Sequence, residues 1–228
     1  MPAQIPKNIK TIIWDLDGTI LDSFSIFTEL LCEVLPRYSK KVPTRDDMLL
    51  HFHGTMESAV AEMLNHEVTD EEVTKIVAEF LHLQDGYYEV IEHHLFPDAV
   101  SLMEQAHAAG KRQIIVTQRG HEGSLRASPR YIVEHSALKQ YIDLVIAGDD
   151  SEHRKPKPEV LGNLKDEIVA GGLVVIGDTY LDAQLAQNLN SKSILVNRND
   201  SEIAHLDELG DGRDLSLTVV ASLSEVSI

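Results

Sequence analysis

The chain has 228 residues, 43% of them hydrophobic, and 37 acidic against 20 basic side chains give it a formal charge of −17. That length and apolar content exclude wholesale disorder and leave room for one main core plus one inserted unit. The charge excludes bulk binding to nucleic acid, which needs clustered Lys and Arg, and no apolar run approaches the roughly 20 residues of a membrane span, so neither nucleic acid nor membrane is an expected partner.

Along the chain, the opening MPAQIPKNIK lacks the basic-then-apolar order of a secretory signal, and Cys32 is the single cysteine, so a reducing cytoplasm is the expected location. Residues 11–15 form the first of several short β-branched runs. The others are 113–117, 144–147, 173–178 and 194–197, with 217–220 a weaker sixth. Such runs read as buried parallel strands.

The stretch 23–94 shows helical periodicity and no convincing strand. Phe24, Phe27, Leu31 and Val34 share one helix face that Pro36 ends; Thr44 opens a second helix and 57–64 form a third. Thr69 with Glu72 makes a capping box for a long fourth helix carrying Val73, Ile76, Val77, Phe80 and Leu83, which Gly86 is expected to weaken or divide. Beyond it, Ala99, Leu102, Met103 and Ala106 predict a helix closed by Gly110, and Val160, Leu161, Leu164 and Ile168 predict another closed by Gly171 and Gly172. The expected fold is therefore α/β: a doubly wound, Rossmann-like parallel sheet formed by 1–22 and 95–228, with a helical unit, 23–94, inserted after the first strand. The hinges are expected near Ser23 and 94–97.

In open α/β sheets ligands bind at the carboxyl ends of the strands. The sequence WDLDGT places Asp15 and Asp17 there, two apart and so able to share one face, while Gly18 suits a turn with positive φ or a close approach to backbone. One carboxylate could attack a substrate while the other moves a proton. A close acidic pair also invites a hard divalent cation such as Mg²⁺. Thr117 ends a strand with a hydroxyl able to bind a phosphoryl oxygen, and Lys155 lies in the stiff segment RKPKP, where prolines can hold it beside a phosphate. Asp178 closes LVVIGD, and Asp182 follows one helical turn later, so both can face one pocket or serve as helix N-caps.

The order WDLDGTILDS, IIVTQ, KPKP and IGDTYLD resembles the four motifs of the haloacid dehalogenase-like superfamily, in its phosphatase branch with a helical cap, over nearly the whole chain. The resemblance implies a Mg²⁺-dependent hydrolase of a small phosphorylated metabolite. Asp15 would be the nucleophile that forms an aspartyl-phosphate, and Asp17 the acid and base. Thr117, Gln118 and Lys155 would hold phosphoryl oxygens. The metal would be bound by Asp15, Asp17 through its backbone carbonyl, and Asp178, with Asp182 and Gly18 in support.

Within that superfamily, Asp17 argues against a dehalogenase, which has no alcohol to protonate. Phe27 stands where mutases of the β-phosphoglucomutase type carry a cap histidine, and Thr19 replaces their bulky aliphatic residue, which disfavours a mutase as the alternative. The lysines of the helical unit, Lys40, Lys41 and Lys75, lie outside HFHGTMES, where a phosphonatase would need one. Specificity is expected from the cap, with His51 and His53 at a helix start and Phe27 as an apolar wall. Gln118 departs from the family's usual Asn or Ser, and the loop 119–130 reads as solvated, with Arg119, His121 and Arg126 the cations it could bring to the substrate. Two other classes fit parts of the pattern. A two-component receiver domain has its phosphorylated Asp on the third strand and half this length, and a non-catalytic phosphate binder could use the same scaffold.

Overall fold

Each β-branched run forms a strand in the computed structural model, which describes residues 3–51, 56–64, 69–121, 125–198 and 217–228. Two short strands near the ends, β1 (Ala3–Gln4) and β8 (Val226–Ser227), pair in parallel. Among the described residues the main sheet is six-stranded and wholly parallel. Its members are β2 (Thr11–Trp14), β3 (Arg112–Val116), β4 (Leu144–Ile146), β5 (Leu173–Gly177), β6 (Lys192–Val196) and β7 (Leu217–Val220), ordered β4-β3-β2-β5-β6-β7. The earliest strand is thus central, flanked by β3 and β5, and the order reverses beside it.

Strand side chains alternate between two apolar layers, as a sheet covered on both faces requires. Ile12, Trp14, Ile115, Val174, Ile176, Ile194 and Val196 share one cluster with α5 (Pro97–Ala108), through Ala99, Leu102, Met103 and Ala106, and with Ile132 and Val133 of α6 (Pro129–Glu134). Ile13, Ile114, Val116 and Val175 join the opposite cluster, with Ile168 of α7 (Lys165–Ala170) and Leu185 and Ala186 of α8 (Tyr180–Asn188). Each Val, Leu, Ile or Met among them contributes about 1.5–3 kcal/mol by leaving water.

Among the described residues, four α-helices fill the stretch 23–94: α1 (Ser23–Val34), α2 (Arg45–His51), α3 (Met56–Met63) and α4 (Asp70–Tyr88). Asp22 caps α1 by accepting from Ser25 N, and the Thr69–Glu72 capping box opens α4 as its sequence pattern requires. Gly86 does not divide α4. The helix runs on to Tyr88, whose 1% exposure shows why: a buried aromatic at its end offsets one glycine's entropy. Phe24, Leu30, Leu31, Ile76 and Phe80 belong to the same apolar cluster as the first sheet face.

The predicted helix over Val160–Ile168 is broken. Gly162 adopts φ 53, ψ −137, which no helix accepts, so a 3-10 segment, Pro158–Leu164, precedes the short α7, although Val160, Leu161 and Ile168 stay buried as expected.

The chain leaves and re-enters the sheet side by side. Leu21 bridges antiparallel to Leu95, Asp22 N donates to His94 O at 2.8 Å, and Phe96 N donates to Ile20 O at 2.8 Å. Arg198, after β6, staples this crossing to the loop after β2. Its guanidinium donates to Gly18 O (3.2 Å) and Thr19 O (3.1 Å), pairs with both oxygens of Asp98 (3.0 and 2.9 Å), and lies 3.7 Å from the Phe96 ring centroid. Asp98 also accepts from Ser222 Oγ and Leu223 N. Burial alone would raise its carboxyl, but Arg198, Ser222 and the Leu223 N–H outweigh that and hold it below the usual carboxylate range.

With side chains only 13% and 15% exposed, Arg198 and Asp98 form a largely desolvated pair. Asp98→Ala should therefore lower unfolding stability by about 3 kcal/mol, measured by urea titration, because it strands a buried guanidinium and two donors. Because the folded pKa is depressed, the wild-type contribution is present above the ordinary carboxylate pKa and lost as pH falls through the folded value; the gap between the two proteins should close in acid.

Candidate active site

Three adjacent strands end at one edge of the sheet, and the residue following each carries a reactive side chain. Trp14 lies level with Ile115 on one side and Ile176 on the other, so Asp15 after β2, Thr117 after β3 and Asp178 after β5 emerge together. The ladder continues into them, since Asp15 N donates to Ile176 O and Thr117 N to Ile146 O. Lys155 reaches the same place from the proline segment between β4 and α7.

Asp15, Lys155 and Asp182 are 6%, 5% and 0% exposed. Lys155 Nζ donates to Asp15 Oδ1 at 2.5 Å and to Asp182 Oδ1 at 2.7 Å. The other oxygen of Asp182 accepts from Thr179 Oγ1 (2.7 Å) and Thr179 N (3.2 Å), so Asp182 closes the capping box of α8 while anchoring the lysine. Thr179, not Asp178, is the N-cap. Asp178 instead accepts from Thr19 Oγ1 at 3.0 Å.

Two glycines admit these carboxylates. Gly18 has φ +76, and a Cβ there would lie 2.1 Å from Asp178 Oδ2; a Cβ on Gly177 would lie 2.2 Å from the carboxyl carbon of Asp182.

The charge is unbalanced. Asp15, Asp178 and Asp182 each offer an oxygen within 4.8 Å of the others. Burial pushes Asp15 up to about 7, with Lys155 pulling down and Asp182 and Asp17 pushing up. Burial, then the Asp15 and Asp182 charges, raise Asp178 well above its ordinary value, and Thr19 and Lys155 offset this only in part. For Lys155, burial opposes the charge, but the two carboxylates outweigh it and hold the ammonium above its ordinary pKa. Three carboxylates around one lysine, with oxygen donors only, suit a hard divalent cation such as Mg²⁺.

Asp17 is bound by a different cation. Arg119 grips it with both edges of a fork, Nη2 to Oδ1 at 2.5 Å and Nε to Oδ2 at 3.0 Å. The Nη1 of the same guanidinium donates to Tyr88 Oη (2.8 Å), at the end of α4, and to Ala127 O (3.2 Å). The reading of 119–130 as solvated is thus corrected at its first residue, because bidentate pairing with a carboxylate offsets much of the cost of withdrawing a guanidinium from water, a cost that an unpaired arginine could not meet. The other two cations that the sequence offered from that loop turn elsewhere: Arg126 pairs with Glu89, and His121 lies among Asp149, Asp150 and Arg130.

Thr117 is buried, and its Oγ1 accepts from Arg119 N at 3.1 Å. Gln118 Nε2 donates to Lys155 O at 3.2 Å, and its Oε1 is buried with no partner among the described residues. On the helical stretch, Phe27 is buried against Phe80, ring centroids 5.6 Å apart, and His51 Nδ1 lies 3.1 Å from Glu62 Oε2. His53 lies outside the described residues.

Sequence reasoning missed the Arg119–Asp17 fork, the Thr19–Asp178 bond and the Arg198 staple. Arg119 carried a usable signal, since it stands two residues past a strand-end threonine in a chain short of cations.

The sequence profile described as haloacid dehalogenase-like hydrolase matches residues 12–196. The chain is 29% identical over 179 residues to the phosphoglycolate phosphatase of Rhodobacter capsulatus, covering 78% of this chain and 79% of that one. It is 28% identical over 204 residues to the pyrophosphatase PpaX of Bacillus mycoides, covering 82% and 83%. Among solved structures, a haloacid dehalogenase-like family hydrolase of Streptococcus pneumoniae superposes with TM-score 0.70 at 18% identity, covering 96% and 97%, a likeness of fold.

The raised Asp15 carboxyl has a consequence in metal-free protein. It favours the fold while protonated and loses that contribution as pH rises through about 7. In EDTA the melting temperature should fall from about pH 5 to about pH 8 by roughly 5 °C or more, and Asp15→Asn should flatten this slope. An equal slope in both proteins would assign the pH dependence to other groups.

Proposed function

The chain belongs to the haloacid dehalogenase-like hydrolase family, and from that premise we propose that it is a phosphatase that cleaves a small phosphorylated metabolite through an aspartyl-phosphate on Asp15. The observation that carries this reading is the buried lysine 2.5 Å from a strand-end carboxylate, with a second carboxylate two residues on. An anionic oxygen cannot approach a phosphate dianion in a desolvated crevice unless cations offset the repulsion.

In the first half-reaction an Asp15 oxygen attacks phosphorus, while Lys155, the Thr117 hydroxyl and the Gln118 amide hold the phosphoryl oxygens. Asp17 gives a proton to the leaving oxygen as the P–O bond breaks. In the second, Asp17 takes a proton from the water that attacks the aspartyl-phosphate, which restores Asp15 and releases phosphate. Asp182 keeps Lys155 aimed at Asp15. Asp15, the backbone carbonyl of Asp17 and Asp178 would hold Mg²⁺, with Gly18 leaving room for the Asp178 carboxylate. When bound, the ion supplies charge that draws the phosphate toward the nucleophile.

Residues 23–94 act in this reading as a cap over the leaving group, on the core 1–22 and 95–228, with the Leu21–Leu95 crossing as its hinge. Asp17 sets the reaction class, because only an oxygen leaving group has use for an acid there. The relatives named for phosphoglycolate and pyrophosphate point to a substrate carrying a second anionic group beside the bond that breaks, and the same class is proposed for this chain.

With MgCl₂ present, the protein should release phosphate from phosphoglycolate or pyrophosphate, and Asp15→Asn should lower that rate by at least about 10³-fold with an unchanged circular-dichroism spectrum. Retention of more than about a tenth of the rate would remove Asp15 as nucleophile. Mg²⁺ at about 100 times its Kd should stabilise the wild type by about 2.7 kcal/mol in thermal melts and should stabilise Asp178→Asn much less. An equal shift in both proteins would move the ion elsewhere.

A further inference from the structure

Among the described residues of the loop after β3, Arg119 is the cation that reaches the site, and the structure sets its two edges to different tasks. The Nη1 edge is fixed by neutral acceptors, Tyr88 Oη at 2.8 Å and Ala127 O at 3.2 Å, with the guanidinium carbon 5.6 Å from the Tyr88 ring centroid. The Nε and Nη2 edge meets an anion, the carboxylate of Asp17, through both of its oxygens. The Asp17 side chain is 29% exposed and that of Arg119 18%, so the pair remains open to a small solute.

This grip conflicts with the work assigned to Asp17. A carboxylate held through both oxygens has neither oxygen available to deliver a proton to a leaving group. The fork must therefore open during turnover, and an arginine in so shielded a place will not release one anion without taking another.

We propose that Arg119 is a specificity-determining residue: its Nε and Nη2 edge exchanges Asp17 for a second anionic group on the leaving group, a carboxylate or phosphoryl near the ester oxygen, and so frees Asp17 to act. Both groups present two oxygens with the spacing that the fork already grips in Asp17. Freed, Asp17 takes a proton from solvent and passes it to the leaving oxygen as the P–O bond breaks; it regains a proton from the attacking water in the second half-reaction. Substrates without the second anion leave the fork closed and react slowly. Because Tyr88 ends α4, the exchange also ties the reading of substrate charge to the helical stretch. The inference rests on the phosphatase reading above.

Phosphoglycolate and ethyl phosphate test it, since their leaving groups differ only by carboxylate against methyl. The wild type should favour phosphoglycolate in kcat/KM by about 10²-fold, the scale of a charged bidentate contact. Arg119→Gln should bring that ratio to within about threefold, and Arg119→Lys, which keeps the charge without the fork, should fall between. Melting curves verify folding; should Arg119→Gln not fold, the ratio in Arg119→Lys decides. A ratio unchanged in the variants, with both esters slowed in parallel, would mark Arg119 as structural and overturn the exchange, as would a wild type indifferent to the carboxylate. Both results leave the phosphatase reading standing. A wild type that releases phosphate from neither ester nor from pyrophosphate sinks that reading and the exchange with it.

Discussion

The buried contact of Lys155 with Asp15 and Asp182 is the constraint around which the rest of the site is arranged. Placing one ammonium and two carboxylates away from water costs several kcal/mol per ion before mutual attraction offsets it, so every remaining hydrogen-bonding position must be used. Asp182 meets that demand by accepting from Thr179 with its second oxygen, which makes one residue both the cap of α8 and the anchor of the lysine. Gln118 binds the lysine's own carbonyl. Asp15 accepts from Lys155 alone among the described side chains, and burial raises its carboxyl to about 7. A residue left short of donors in a buried crevice is one prepared to meet an electrophile or a cation.

The backbone around the cluster is shaped by the same demand. Gly18 and Gly177 stand where a methyl group would collide with the carboxylates of Asp178 and Asp182, so the acids approach the chain itself and not merely its side chains. Arg198 then fixes the loop by binding the carbonyls of Gly18 and Thr19, and it joins that loop to Phe96 and Asp98, at the point where the chain returns from the helical stretch. The loop that bears Asp17 is in this way held between two arginines, Arg198 on its backbone and Arg119 on its carboxylate. Both are largely withdrawn from water, with side chains 13% and 18% exposed.

Much of the architecture was legible beforehand. All six strands lay where β-branched runs occur, because a strand buried on both faces selects those residues continuously. The Thr69–Glu72 box likewise announced α4. The break at Gly162 was not legible: apolar residues at helical spacing are buried there whether or not the backbone between them is helical, so periodicity alone cannot detect one residue with positive φ. Gly86 misled in the opposite direction, since its local cost is small beside the burial of Tyr88 two residues later.

The sequence by itself determined the fold class and the set of strand-end residues, because hydrophobic period and chain order act locally and a parallel sheet carries its reactive residues to one edge. It also marked Asp15, Asp17, Thr117, Lys155, Asp178 and Asp182 as candidates for one site. Tertiary structure alone decided which charges meet. That Lys155 binds Asp182 as well as Asp15, that Thr19 binds Asp178, and that Arg119 binds Asp17 and Tyr88 depends on separations of 27 to 159 residues. Ion pairing is governed by distance and desolvation in space, to which spacing along the chain is blind.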